Sequence, residues 1–216
     1  MTTTTRLTAT PRIALLTLVL ASLPGPALAR PTLPPADQAK LERGEVVTYS
    51  NKVANSKVQT GKAVYIIPDT PEAVAYVLAA VDRYKAYMPR VKDSRIYKRS
   101  GAHTYAVVET DLPWPVKDCW VSLKYTQQVR PGRVHDIRWW MLNGTMKQYT
   151  GSAYIEPWDK DGKKSVITYE LLADLKTAAP DKMISDGVKD IAATVVRTFK
   201  LRLAALRKFK KMPPGL

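Results

Sequence analysis

The longest periodic signal in this 216-residue chain lies near its C-terminal end. From about Pro180 to Lys208, Ile184, Val188, Ile191, Val195, Phe199, Leu203 and Leu206 recur at intervals of three and four, which places them on one face of a long amphipathic helix. A shorter stripe of Val74, Val77, Leu78, Val81 and Tyr84 predicts a second helix running to about Tyr87. Its start is marked by chemistry: Thr70 suits the N-cap, Pro71 fits the first turn, and Glu72 complements the helix dipole. Met88-Pro89 ends it. Ahead of this helix, Glu45–Val53 and Lys57–Ile67 read as β. After it come β-like segments at Ser94–Lys98, His103–Asp111, Cys119–Val129, Val134–Leu142, Lys147–Glu156 and Ser165–Leu175. Turn signals such as Ser100-Gly101, Pro131-Gly132 and Asn143-Gly144 separate them, which predicts an antiparallel meander.

The period of two assigns faces. Cys119, Val121, Leu123 and Tyr125 share one side of their strand, and Ile167, Tyr169, Leu171 and Ala173 form a matching row on the last strand; both rows are assigned inward. Trp139 and Trp140 are adjacent and must face opposite ways, and Trp139, in register with Ile137 and Met141, is the inward one. The stretch DLPWPVKDCW breaks the pattern. Pro113 and Pro115 remove two backbone donors, so an edge, bulge or turn is expected there, holding Trp114 at a corner of the sheet as either a cavity rim or a cap on the core. The fold class that results is α+β: a curved antiparallel sheet of about seven strands wrapped on the C-terminal helix, with a short helical segment after the first strands. A bent sheet and one helix leave space that side chains fill poorly, so a cavity is expected between them.

The N-terminus changes the compartment. Arg6 and Arg12 precede an apolar run from Ile13 to Leu23, then Pro24-Gly25-Pro26 and Ala27-Leu28-Ala29, the three-part layout of a signal peptide over residues 1–29. Cleavage after Ala29 and a periplasmic or secreted location are the expectation. Residues 30–44, with Pro31, Pro34 and Pro35, read as a linker, 45–209 as one ligand-binding domain, and 210–216 as a basic, proline-containing tail. The net charge of +15 favours anionic partners such as membrane surfaces, and export argues against nucleic acid. Cys119 is alone, so no intramolecular disulfide forms, and a buried, inert thiol is expected.

The run Tyr84-Lys85-Ala86-Tyr87-Met88-Pro89-Arg90-Val91-Lys92-Asp93-Ser94 resembles the segment with which START-like (SRPBCC, helix-grip) proteins leave an early helix and enter their meander. Asp111–Trp120 is similar to the Pro-aromatic-Pro segment of START lipid-binding domains, although no Arg-Asp pair follows the prolines. The resemblance covers roughly Glu45 to Lys208. It implies a domain that sequesters one hydrophobic molecule, a lipid, sterol, quinone or similar, between the sheet and the C-terminal helix. The expected lining is Val121, Leu123, Tyr125, Trp139, Met141, Tyr149, Ile167, Tyr169, Leu171, Ile184, Val188, Ile191 and Val195, with Trp114 at the rim.

Competing chemistry is thin. His103 and His135 read as surface or strand-edge residues, with no metal-ligand spacing around them. Asp159-Lys160-Asp161-Gly162 reads as a hairpin turn, since its glycine and Lys163 do not fit a calcium loop. There is no nucleophile motif, so no catalytic residue, metal or cofactor is assigned. A cyclase or aromatase using an inward tyrosine such as Tyr169 is the enzymatic alternative. Binding or transfer by a monomer, with transient contact to anionic membrane through Lys85, Arg90, Lys92, Lys189, Arg197 and Lys200, is the main expectation.

Overall fold

A computed structural model of the chain describes residues 33–54, 56–112 and 118–216. Residues 1–29, expected as a signal peptide, and Trp114 lie outside the described residues. Among the described residues, eight strands form one open antiparallel sheet: β1 (Val47–Asn51), β2 (Thr60–Ile67), β3 (Val91–Ser100), β4 (His103–Thr110), β5 (Cys119–Arg130), β6 (Val134–Gly144), β7 (Gln148–Pro157) and β8 (Ser165–Asp174). Their order is β1-β2-β8-β7-β6-β5-β4-β3. The meander from β3 to β8 pairs each strand with its chain neighbour, and β2 then closes onto β8, with Tyr65 opposite Ile167 and Gly61 opposite Leu171. The strand number exceeds the expected seven by one.

Helix α2 (Pro71–Ala79) begins as the cap chemistry requires, with the Thr70 hydroxyl accepting from the Ala73 N–H at 3.3 Å. It stops earlier than its apolar stripe suggests. At Ala80 the backbone leaves the helical region, and a 3₁₀ segment, Val81–Ala86, follows. Two phenols satisfy carbonyls released at this break: Tyr84 donates to the Leu78 carbonyl at 2.6 Å and Tyr87 to that of Val77 at 2.9 Å. The helix therefore ends without a glycine.

Part of the expected linker is helical. Helix α1 (Pro35–Glu42) buries Leu41 and accepts a hydrogen bond from the Tyr49 hydroxyl of β1 on Asp37 Oδ2, at 2.8 Å. Burial, and then the Asp37 carboxylate, push the Tyr49 pKa up to about 12. A single anchoring leucine leaves almost no periodic trace, which is why sequence alone reads this stretch as linker.

Helix α3 (Asp181–Lys208) packs on β1, β2 and β8 and against α2. Its buried face is Ile184, Val188, Ala192, Val196, Phe199, Leu203 and Leu206, with Ser185 and Ala193 beside it. This corrects the expected stripe: Ile191 is 41% exposed, and Val195 is half-buried at the edge of the core. The reason is closeness of approach. A Cβ at Gly61 of β2 would lie 2.5 Å from the Val188 carbonyl oxygen and 2.6 Å from the Lys189 Cα, so helix and strand meet backbone to backbone. Val188 and Lys189 face this contact, and with the helix so seated Ile191 turns outward.

The far end of α3 is clamped. Arg207 holds the buried Asp69 through two hydrogen bonds, Nη2 to Oδ1 at 2.6 Å and Nε to Oδ2 at 3.1 Å, while the Asp69 carbonyl accepts from the Ser165 hydroxyl at 2.5 Å. One aspartate thus ties the β2–α2 turn, the start of β8 and the last turn of α3 together.

Candidate functional site

The inward rows of β5, β6 and β8 converge as the alternation predicts. Val121, Leu123, Tyr125, Trp139, Ile167, Tyr169 and Leu171 are all buried, as are Ile184 and Val188 of α3; Met141 and Tyr149 are half-buried against the same core. Trp139 points inward, and Trp140 points the other way, with the Lys124 ammonium 5.3 Å from its ring.

Within this core the aromatic rings form a row. Tyr125 lies 6.0 Å from Trp139 between centroids, Trp139 5.2 Å from Tyr169, and Tyr169 6.5 Å from Phe199 of α3. Strand β7 separates β6 from β8, yet the Trp139 ring reaches Tyr169 because Gly151 stands between them. A Cβ at Gly151 would come within 2.4 Å of Trp139 Cζ2, so the indole lies flat over the glycine. The row therefore spans the sheet from β5 to α3.

These rings fill the space beneath α3. Phe199, Ala192 and Val196 on the helix, and Ala63 and Ile167 on the sheet, have no exposed surface. The hollow expected directly between sheet and terminal helix is occupied at these positions by the protein's own aromatic side chains. Open space lies further along: a pocket of about 290 Å³ sits beside the Tyr125 ring, walled by Ala79 at the end of α2, Val81 just after it, Gly101 in the β3–β4 turn, and Val129 and Ile137.

The interior is apolar but carries an unused donor. Trp139 Nε1 is buried and has no hydrogen-bond partner among the described residues. Tyr125, Tyr149 and Tyr169 lie close together in this interior: Tyr149 disfavours ionisation of both Tyr125 and Tyr169, and Tyr125 that of Tyr169. Burial is the main cause that raises all three, Tyr149 to about 12. They stay protonated at physiological pH and are suited to donate to a carbonyl or hydroxyl oxygen, not to abstract a proton.

The histidines differ from expectation. His135 is buried, at 5% exposure, with its Nε2 unpartnered and its Nδ1 3.3 Å from the Gln127 amide nitrogen; His103 is half-buried. In β6, His135 falls on the covered side of a central strand, which a lone polar residue does not advertise. Burial pulls its pKa below the ordinary value; Glu72 opposes this and Arg133 adds to it. The folded protein then binds this proton less readily than the unfolded chain does. His135 therefore contributes stability in full above about pH 6.5, and this is lost as pH falls toward the lowered value, at no more than about 1.4 kcal/mol per pH unit. Urea midpoints should fall between about pH 7.5 and about pH 5.5 in the wild type and less so in His135→Gln; equal slopes would refute the assignment.

The basic rim is partly neutralised. Lys85 pairs with Asp93 at 3.6 Å and Lys92 with Asp118, whereas Lys200 keeps its charge and donates to the neutral Tyr65 hydroxyl at 2.9 Å. Asp159 Oδ1 accepts from the backbone N–H groups of Lys163 and Lys164 at 2.9 and 3.3 Å, so Asp159–Gly162 forms the β7–β8 turn.

No protein-family model matches this chain, and no curated protein matches it. Solved structures do. A STAR-related lipid transfer protein fragment from Xanthomonas axonopodis is 17% identical with a TM-score of 0.65, over 74% of this chain and 93% of that one. Human STARD10 is 16% identical with a TM-score of 0.66, over 77% and 72%. Human StAR-related lipid transfer protein 5 is 10% identical with a TM-score of 0.63, over 76% and 84%. At such identities the likeness is one of architecture, and it agrees with the strand order and the placement of α3: the chain has the START-like, helix-grip fold.

Proposed function

We propose that this protein binds one hydrophobic molecule that carries an oxygen acceptor, as an exported carrier or transfer protein. The observation that carries the reading is the buried, unpartnered Trp139 N–H, set in an aromatic row that begins at the open pocket beside Tyr125. A buried donor left without a partner costs about 1–3 kcal/mol, so a ligand that accepts from it recovers what the empty protein forgoes. The lipid-transfer proteins among the fold neighbours support the same class of ligand. Export rests on the layout of residues 1–29, and attraction to anionic membranes on the charge of +15.

Size narrows the ligand. The pocket of about 290 Å³ is at the lower end for small-molecule sites. It admits a ring or part of a single chain; a bulkier lipid enters only as Tyr125 and its neighbours swing aside. Each buried methylene then contributes about 0.8 kcal/mol.

An alkyl benzoquinone and an alkylbenzene of equal chain length separate the polar from the apolar contribution. Trp139→Phe retains an aromatic ring and removes the N–H. Quinone affinity should fall about fivefold to tenfold, with alkylbenzene affinity nearly unchanged. Equal losses for both probes would remove the hydrogen bond from the account, and failure of either probe to bind the wild type would remove the binding function.

A further inference from the structure

A second pocket, of about 270 Å³, lies outside the core, between the end of α2 and the C-terminal turns of α3. Its walls bring together Arg83, Arg202 and Lys211 with Tyr76 and Tyr87, and no carboxylate lines it. Arg83 has an exposed partner in Asp82 at 3.4 Å; among the described residues, Arg202 and Lys211 have no ion pair. Arg202 is held with its guanidinium 5.0 Å from the centre of the Tyr87 ring, and that ring is fixed in turn by its hydroxyl on the Val77 carbonyl. Tyr76 is 39% exposed and offers a free aromatic face.

Lys211 is there because α3 ends abruptly. The Lys210 N–H donates to the Arg207 carbonyl at 3.1 Å and the Lys211 N–H to the Leu206 carbonyl at 2.9 Å, a Schellman ending. Lys210 occupies the left-handed position, φ 52°, where glycine is usual, and the chain doubles back onto the helix end. Three cations drawn into one concavity repel one another, and an anion placed among them relieves that repulsion.

We infer that this pocket binds a phosphate-type dianion, the two guanidinium groups and the Lys211 ammonium holding its oxygens and Tyr76 flanking whatever group the phosphate carries. Guanidinium forks match a tetrahedral oxyanion with two donors each, which a lone carboxylate does not fully use. The pocket exceeds a bare phosphate in size, so a phosphomonoester suits it better than the free ion. This site is separate from the interior one and goes beyond the ligand assigned to it.

Calorimetric titration of the whole protein with inorganic phosphate at low salt tests the inference, alongside flotation with phosphatidylcholine vesicles with and without phosphatidic acid. Phosphate should bind saturably. The double substitution Arg202→Gln, Lys211→Gln should weaken it at least about tenfold. Lys52→Gln with Lys57→Gln, which removes the same charge from the β1–β2 connection, where Gln59 meets Ser185 near the opposite end of α3, should change it less than about twofold. If only phosphatidic acid vesicles bind, and only the pocket variant loses them, the inference stands with a headgroup as the source of the phosphate. Equal losses in both double variants, or no binding of either probe, would overturn it. Trp139→Phe should leave this binding unaltered.

Discussion

Phe199→Ala should destabilise the protein by about 3–5 kcal/mol and at the same time enlarge the set of hydrophobic molecules it takes up. Phe199 has no exposed surface and ends the aromatic row at α3, against Tyr169. Its removal deletes the transfer free energy of the ring and leaves a void that α3, clamped at Asp69 by Arg207, cannot collapse into. A domain with about 5–15 kcal/mol of total stability tolerates this loss near room temperature. The void then lies beyond Tyr169, at the far end of the row from the pocket beside Tyr125 where the proposed ligand enters. An apolar probe at about a hundred times its dissociation constant restores about 2.7 kcal/mol to the variant. Urea unfolding with and without the alkylbenzene reads both effects. A variant as stable as the wild type would mean that α3 is not seated on this ring, and a variant that the probe fails to stabilise would mean that the interior is inaccessible from the pocket.

Gly61→Ala is the second large effect, expected at about 3 kcal/mol of destabilisation. Two influences compete there. Replacing glycine in a strand restricts the unfolded chain and contributes about 0.4–1 kcal/mol in favour of folding. Against it, the new methyl meets the Val188 carbonyl oxygen and the Lys189 Cα at 2.5 and 2.6 Å, and backbone atoms cannot rotate away as a side chain can. The clash wins, and α3 must move as a body. Gly187→Ala, one residue before Val188 in the same helix, is the internal control, because a Cβ there meets nothing within 4 Å. It should stabilise by about 0.5–1 kcal/mol, as Gly-to-Ala does in a helix interior. Opposite signs from two identical substitutions are measurable by chemical denaturation; like signs would contradict the close seating of α3 on β2.

How much of this was legible beforehand follows from whether the determining physics is local. The Thr70 cap, the alternation in β5 and β8, and the opposed directions of Trp139 and Trp140 each depend on residues a few positions apart, and the structure agrees with them. The buried face of α3 depends on a distant glycine. Bulk and spacing favoured Ile191, whereas the approach of Gly61 to the Val188 and Lys189 backbone accompanies a rotation of α3 that buries Ala192 and Val196 instead. Helix α1 depends on Leu41 and on the Asp37–Tyr49 hydrogen bond, neither of which leaves a periodic mark. That most of the expected lining residues are buried was legible, residue by residue, but how they pack was not. That the rings close the interior follows from Gly151 letting the Trp139 ring cross β7 to Tyr169, a relation among three strands that alternation within any one of them does not encode. The cationic pocket is of the same kind: Arg83, Arg202 and Lys211 are scattered along the chain and meet only once α3 docks beside α2.

The account turns on whether the packed interior opens to hold a guest. Native mass spectrometry of the protein, purified without detergent and then exposed to a mixture of quinones, sterols and fatty acids, addresses this directly. The expected spectrum contains a one-to-one complex with a species bearing a carbonyl or hydroxyl group, diminished in Trp139→Phe. A spectrum of empty protein alone, before and after exposure, would contradict it.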